Sequence, residues 1–182
     1  MELESARDGC GCRARLLALS RLRSAASYEG TIEKAIHRFK YYGWRHLAEP
    51  LALLMAERVT VEGLAASWAL AVPLHPSRLR SRGYNQAELL ARELRRKLDL
   101  SAPPGELVRL RATPSQVGHD RLWRQANVRG AFEWRGDRLR GRPILLVDDV
   151  ATTGATLDAC AGALRAAESG SVTGISVARV TL

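Results

Sequence analysis

The chain has 182 residues, and 28 Lys and Arg against 19 Asp and Glu give it a formal charge of +9. The length suits a single domain, and an apolar fraction of 46% can fill a core of that size, which excludes disorder as a description of the whole chain. Because the sequence has no apolar run long enough for a membrane span and no apolar core of a signal peptide, we expect a soluble protein of the cytoplasm.

The first part of the chain mixes arginine with leucine and alanine. We interpret residues 1–27 as a loosely attached segment with one short helix, predicted from Arg13 to Leu22. The segment holds Cys10 and Cys12, and the third cysteine of the chain is Cys160. An odd number of cysteines argues against a disulfide framework and fits a reducing compartment. Structural zinc needs four ligands, usually in two pairs, so a single pair does not favour a bound metal.

Two helices are predicted between residues 28 and 65. In the first, apolar side chains recur at helical spacing before Gly43, at Ile32, Ile36 and Phe39. In the second, one face carries Leu47, Leu51, Leu54 and Met55. A third helix, with an apolar stripe from Ala87 to Leu98, follows a basic loop at 75–83.

Short apolar runs predict the strands of a sheet. One run, at 68–72, ends at Pro73, and the others lie at 107–110, 131–134, 144–147 and 172–180. The polar segment 112–127 is predicted to be a long loop, and a last helix is predicted from about Ala155 to Ala167. Strands that alternate with helices indicate an α/β protein with a parallel sheet.

The most informative stretch is residues 144–156, ILLVDDVATTGAT. Its apolar beginning predicts a strand buried on both faces, so that Asp148 and Asp149 emerge at the carboxyl edge of the sheet, where open α/β sheets bind ligands. Adjacent carboxylates suit a cis-diol or Mg²⁺, and the Thr/Gly turn at a helix N-terminus suits a phosphate. An ordinary capped turn explains one Asp and one Thr, but not two acids and three threonines around a glycine. The stretch therefore predicts a site for a ribose 5-phosphate.

This stretch resembles the signature of type I phosphoribosyltransferases, which bind 5-phosphoribosyl-1-pyrophosphate (PRPP). Among them the chain is most similar to the ComF family of competence-associated proteins, through residues 72–91, VPLHPSRLRSRGYNQAELLA, and a looser match over 111–132. The resemblance implies a phosphoribosyltransferase-like domain at 28–182, preceded at 1–27 by the remnant of a four-cysteine zinc module with which ComF relatives commonly begin. It implies an α/β protein with the type I phosphoribosyltransferase fold, a mostly parallel twisted sheet flanked by helices, with a small N-terminal helical hood.

The resemblance also implies roles for the site residues. Asp148 and Asp149 would be the catalytic residues, which hold the ribose hydroxyls and, mainly through PRPP, Mg²⁺. The PRPP-binding segment around the 5-phosphate would comprise Val150, Ala151, Thr152, Thr153, Gly154, Ala155 and Thr156. The pyrophosphate loop would contain Pro73, Leu74, His75, Arg78, Arg80, Arg82 and Gly83, although taken alone this loop suits a solvated basic turn equally well. In the mobile loop at 112–127, Arg121 and Arg124 would contact the leaving pyrophosphate, unless the segment is only a surface loop.

The acceptor of the ribosyl group and the partners of the protein stay open. The hood, residues 28–65, offers side chains either to stack on a nucleobase or to pack on the sheet: Tyr28, Lys40, Tyr41, Tyr42 and Trp44. The first hypothesis is a Mg²⁺-dependent phosphoribosyltransferase. The second is a non-enzymatic accessory of DNA uptake that uses its arginines on single-stranded DNA, and the third is a PRPP sensor that regulates a partner. A homodimer is left open.

Overall fold

The computed structural model describes residues 18–111 and 130–180. Its elements, in chain order, are β1 (Arg21–Ser27), α1 (Gly30–Tyr41), a 3-10 turn (Arg45–Leu47), α2 (Ala48–Val61), β2 (Trp68–Ala71), α3 (Pro76–Arg82), α4 (Gln86–Leu98), β3 (Gly105–Arg109), β4 (Phe132–Gly136), β5 (Ile144–Ala151), α5 (Ala155–Ala166) and β6 (Val172–Arg179). The predicted loop at 112–127, with Arg121 and Arg124, and the pair Cys10 and Cys12 lie outside these residues. Within the described ranges, none of the helices has the length and apolar character that crossing a membrane requires.

Four strands form a parallel sheet in the order β1-β6-β5-β2. β5 lies inside the sheet, between β6 and β2, and its residues 144–147 are fully buried, as expected for a strand that is covered on both faces. β3 and β4 form a separate antiparallel ribbon. The prediction of an α/β protein with a mostly parallel sheet flanked by helices is confirmed, whereas the type I phosphoribosyltransferase fold stays a prediction.

Two hydrophobic layers cover the sheet, and alternate residues of β5 point into them. Leu145 and Val147 pack in the layer formed with α1, α2 and α4. Ile144 and Leu146 pack in the layer formed with α5 and the β3–β4 ribbon. By the same alternation, the two acids that follow in β5 face opposite layers.

The predicted helices between residues 28 and 65 are confirmed. In α1, Ile36 and Phe39 are fully buried, and in α2 the buried side includes Leu51 and Met55. Leu54, which the sequence placed on the same face, is more than one third exposed, because Ala48 and the other small residues of α2 occupy the contact with the sheet instead. The two helices join α4 in one layer on the sheet.

The helix expected from Arg13 to Leu22 is wrong at its C-terminal end, and residues 13–17 lie outside the described ranges. Arg21 and Leu22 instead begin β1, which pairs with β6 in parallel from Arg21 opposite Thr173 to Ser27 opposite Arg179. Only Leu22 of β1 is buried, so the strand has no apolar run that the sequence could reveal. Its pairing with β6 satisfies the backbone groups that fix it as a strand.

The basic segment at 75–83 was expected to be a loop and is a short helix, α3. Pro76 occupies its first turn, and the Nδ1 atom of His75 caps it by accepting a hydrogen bond from the Ser77 N–H at 3.2 Å. Gly83 ends it with φ 79, a left-handed conformation that glycine adopts readily. β5 also continues four residues beyond the predicted run, so that both acids lie within the strand.

Candidate functional site

The turn between β5 and α5 opens a helix N-terminus at the carboxyl edge of the sheet. Gly154 precedes α5 with φ 80, a conformation that residues with a Cβ rarely adopt. The Oγ1 atom of Thr153 accepts a hydrogen bond from the Ala155 N–H at 3.4 Å, and Thr152 and Thr156 are half-buried beside it. The first N–H groups of a helix have no partners within the helix, and the helix dipole adds positive potential, so this turn suits a phosphate.

Asp149 is buried, with 6% of its surface exposed, and each of its carboxylate oxygens has its own partner. The Oδ1 atom lies 3.0 Å from the Nζ atom of Lys40 in α1, and the Oδ2 atom accepts a hydrogen bond from the Nε2 atom of Gln86 in α4 at 2.9 Å. Burial is the largest single effect and lowers the pKa of Lys40, but the charge and hydrogen bond of Asp149, together with smaller effects of Asp148 and Tyr28, outweigh it. The pKa is therefore raised, and Lys40 is a cation. Asp149 therefore joins β5 to α1 and α4.

Asp148 has different surroundings, although it is the preceding residue. Its Oδ1 atom accepts a hydrogen bond from the Asp149 N–H at 2.8 Å. Burial and the negative charge of Asp149 raise the pKa of Asp148 from 3.8 to about 7, against the smaller opposing effects of Lys40 and Arg109. A ligand that brings positive charge or hydrogen-bond donors to Asp148 would favour its carboxylate form.

Arg109, the last residue of β3, interacts electrostatically with Asp148. Its pKa is lowered, first by burial and then by the positive charge of Arg78 in α3, while Asp148 opposes the shift. Its guanidinium group lies 5.4 Å from the centre of the Phe132 ring. Arg109 therefore brings positive charge near Asp148, and Arg78 adds positive potential near Arg109, which suits an anionic ligand.

Three consecutive residues after α3 connect the elements around the site. The Tyr84 hydroxyl donates a hydrogen bond to the Phe39 carbonyl in α1. Asn85 caps α4, and its Nδ2 atom donates to the Val72 carbonyl, directly after β2, at 3.0 Å. Gln86 donates to the buried acid of β5. These three residues, which belong to the 72–91 segment that resembles the ComF family, thus fix α1, α4, β2 and β5 relative to one another.

The arginines of the predicted pyrophosphate loop lie on α3 and point to different places. Arg78 is half-buried and acts electrostatically on Arg109, whereas Arg80 is exposed. The guanidinium group of Arg82 lies 5.1 Å from the centre of the Tyr41 ring. The other members of that predicted loop precede, cap or end α3: Pro73, Leu74, His75 and Gly83. Val150 and Ala151 are the last residues of β5.

Sequence reasoning missed Gln86 and Arg109, and it placed Lys40 among the acceptor-binding candidates. Two of the three carry a signal in the sequence: Lys40 follows Ile36 by four residues, and Gln86 precedes Leu90 by four. Each is therefore a polar residue on the buried stripe of a helix, which is a position that needs a polar partner. Arg109 lies at a strand end and has no such signal.

A second feature, which we call the aromatic cleft, lies along α1 and the residues that follow it, and has a volume of about 570 Å³. It is lined by Glu33, Lys34, His37, Arg38, Tyr42 and Trp44. The Arg38 guanidinium lies 4.7 Å from the centre of the Trp44 ring, and Tyr42 is 67% exposed. Exposed aromatic rings with cations between them suit stacking on bases and contact with phosphates.

The site offers Mg²⁺ the oxygen ligands that it prefers, but few of them are available. Both oxygens of Asp149 already have partners, one of which is the cation of Lys40. Within residues 18–111 and 130–180, no three His, Cys, Asp or Glu side chains gather in a way that could hold a metal. These residues would fit a Mg²⁺ held mainly through the ligand, for which Asp148 would be the protein carboxylate.

Comparison with known proteins finds relatives along most of the chain. Competence protein F of Haemophilus influenzae is 36% identical over 137 residues, which are 71% of this chain and 60% of that protein. The DNA utilization protein YhgH of Escherichia coli K12 is 32% identical over 155 residues, 81% of this chain and 67% of that protein. The YhgH protein of Salmonella typhimurium is 29% identical over 154 residues. No family model matches the chain.

Proposed function

Because the chain belongs to the ComF family, we propose that it is a phosphoribosyltransferase-like protein that binds PRPP with Mg²⁺ at the carboxyl edge of β5. In this proposal the chain has the type I phosphoribosyltransferase fold and transfers the 5-phosphoribosyl group to an unidentified acceptor, with release of pyrophosphate. The observation that carries it is the position of Asp148 and Asp149 near the carboxyl end of β5, with only Val150 and Ala151 between them and the turn that opens α5. Acids for sugar hydroxyls and N–H groups for a phosphate then lie at the two ends of one short segment.

In the proposed reaction, the chain's own residues bind and orient the substrate. Asp149 accepts hydrogen bonds from hydroxyls of the ribosyl group, and the N–H groups at 153–156 donate hydrogen bonds to the 5-phosphate. Arg78 and Arg109 place positive charge on the side of the leaving diphosphate. The bond from C1 to the diphosphate oxygen breaks and its electron pair leaves on the diphosphate, while a lone pair of the acceptor forms the new bond to C1. When bound, Mg²⁺ supplies positive charge to the diphosphate oxygens.

Calorimetry with PRPP and MgCl₂ tests this proposal. We expect the wild type to bind PRPP and Asp149→Asn to bind it at least about tenfold more weakly, because a hydrogen bond to a charged group is lost. Asp137→Asn is the matched control, since Asp137 is an exposed acid outside the site. Release of pyrophosphate with a panel of purines, pyrimidines and amines then tests transfer. A wild type that does not bind PRPP, or an Asp149→Asn variant with unchanged affinity, contradicts the proposal.

A second candidate function is binding of single-stranded DNA, and the aromatic cleft favours it. All three relatives reported above are named for competence or for DNA utilization. In the cleft, Tyr42 and Trp44 can stack on bases while Lys34 and Arg38 contact phosphates. The stacking of Arg82 on Tyr41 and the exposed Arg80 extend the positive surface from the cleft toward α3.

Fluorescence anisotropy with a labelled single-stranded oligonucleotide tests this second candidate. We expect salt-sensitive binding that Arg38→Gln and Trp44→Ala weaken and that Asp148→Asn leaves unchanged. The control Arg138→Gln removes another exposed arginine, which pairs with Glu168. The absence of binding at about 0.1 M salt would rule out this role, since it depends on phosphate contacts that such a salt concentration only partly screens.

A further inference from the structure

We infer that Lys40 and Gln86 are positioning residues that orient the Asp149 carboxylate toward two neighbouring hydroxyls of the sugar, so that the site prefers ribosyl to 2-deoxyribosyl phosphates. The inference rests on the proposed function and adds the residues that determine which sugar the site accepts. Its starting point is that the two oxygens of Asp149 are held separately, at 3.0 Å by Lys40 and at 2.9 Å by Gln86.

Two donors on opposite oxygens fix the plane of a carboxylate. An ionised carboxylate accepts about four hydrogen bonds, two at each oxygen. Lys40 and Gln86 use one position on each oxygen, and one position on each therefore remains. Two adjacent hydroxyls of a ribosyl group supply two donors, spaced to reach the two remaining acceptor positions of the carboxylate. A 2-deoxyribosyl group supplies only one donor there.

Gln86 provides an independent indication that a hydrogen-bond donor enters the site. Its side chain is buried, with 3% of the residue exposed, and its Oε1 atom has no hydrogen-bond partner in the part of the chain that the structure describes. Exchanging the positions of Oε1 and Nε2 by rotating the amide would not give Oε1 a donor, because Oε1 would then face the Asp149 carboxylate, which is itself an acceptor. A buried acceptor without a donor is unfavourable, and a further donor that enters with the ligand, a hydroxyl or a water in addition to the two hydroxyls on Asp149, would satisfy it.

The fold fixes both positioning residues from their neighbours in the chain. Phe39, next to Lys40, accepts a hydrogen bond from the Tyr84 hydroxyl. Asn85, next to Gln86, caps α4 and bonds to the Val72 carbonyl. The donors that contact Asp149 are thus attached to elements that are braced against the sheet, which is what precise orientation of a binding group requires.

Stability alone does not explain three polar groups at this place. A buried ion pair contributes little net stability compared with well-packed apolar residues of similar size. Positions of the same strand and helices, such as Val147 and Leu90, show that apolar side chains pack well in this layer. The polar set is therefore better explained by a ligand that needs it than by the needs of the fold.

The test compares ribose 5-phosphate, 2-deoxyribose 5-phosphate and inorganic phosphate as calorimetric probes on the full chain. We expect the wild type to prefer the ribosyl compound, and Lys40→Met and Gln86→Met to reduce that preference by roughly tenfold. Affinity for inorganic phosphate is expected to stay unchanged in both variants, because the turn before α5 is intact. Lys40→Arg keeps a cation beside Asp149 and is expected to retain part of the preference. Lys97→Met is the matched control, since Lys97 is a similarly enclosed lysine paired with Glu49 at 3.6 Å.

The outcomes separate this inference from the proposed function. If the wild type binds neither sugar phosphate, the proposed function itself is overturned. If it binds and prefers the ribosyl compound while both methionine variants keep the full preference, only the positioning role is overturned. If Lys40→Met does not fold, Gln86→Met carries the same test, because it exchanges one neutral side chain for another.

Discussion

Removing both members of the buried pair Lys40–Asp149 should destabilise the protein by less than the sum of the two single removals. The two charged atoms lie 3.0 Å apart, with 20% of the Lys40 side chain and 8% of the Asp149 side chain exposed. At an effective dielectric constant of about 20, their attraction amounts to about 5.5 kcal/mol before the cost of removing both charges from water. We therefore expect Lys40→Met or Asp149→Leu to lower the free energy of unfolding by about 3 kcal/mol each, because a charge without its partner stays buried.

In the double variant neither charge of the pair is left. Its loss of free energy of unfolding should therefore be about 2–3 kcal/mol smaller than the sum of the losses in the two single variants. Urea unfolding followed by circular dichroism measures all four proteins of this double-mutant cycle. The control cycle uses Lys97→Met and Glu49→Leu, because that pair is separated by 3.6 Å and Glu49 is 65% exposed. Its coupling should stay below about 1 kcal/mol. If the Lys40–Asp149 coupling is no larger than that of the control pair, the reasoning is refuted.

Three further predictions concern neighbouring residues. The pKa of Asp148 is raised from 3.8 to about 7, so the folded state binds the proton of this carboxyl more tightly than the unfolded state does. The protonated carboxyl therefore contributes fully to the free energy of unfolding below about pH 4, and this contribution is lost as the pH rises to about 7. Relative to Asp148→Asn, the wild type should therefore lose free energy of unfolding between about pH 4 and pH 7, and a constant difference would contradict this. Gly154→Ala should lower the free energy of unfolding by about 1 kcal/mol and weaken phosphate binding, whereas Gly162→Ala inside α5 should raise stability slightly. Asn85→Ala should lower the unfolding midpoint in urea, equivalent to about 1–2 kcal/mol, because it removes the cap of α4 and the bond to Val72; an unchanged midpoint would count against that role.

The parts of the fold that local sequence determines were predictable. The short, continuous apolar run at 144–147 is typical of a strand covered on both faces, and the stripes of α1 and α4 repeat at helical spacing. The turn that opens α5 was predictable for the same reason, since its threonines and Gly154 are consecutive in the chain. Each of these features depends on residues within about one or two turns of one another.

The features that were not predicted depend on partners far along the chain. β1 is a strand because it pairs with β6, some 150 residues later, and its own side chains give little indication of burial. The role of Lys40 depends on Asp149, and the role of Gln86 depends on the same acid. A polar residue on a buried helical stripe indicates that a partner exists, but only the three-dimensional arrangement identifies the partner. For α3, the capping side chain of His75 was not recognised beside Pro76.

The most direct test of the account records backbone and side-chain amide signals of the ¹⁵N-labelled protein by NMR while ribose 5-phosphate is added. The account predicts that the N–H signals of residues 153–156 and the side-chain amide of Gln86 shift together, with a single affinity, because one ligand spans the turn and the acid of β5. Shifts confined to the aromatic cleft, or an unchanged turn at concentrations that saturate any other site, would contradict it.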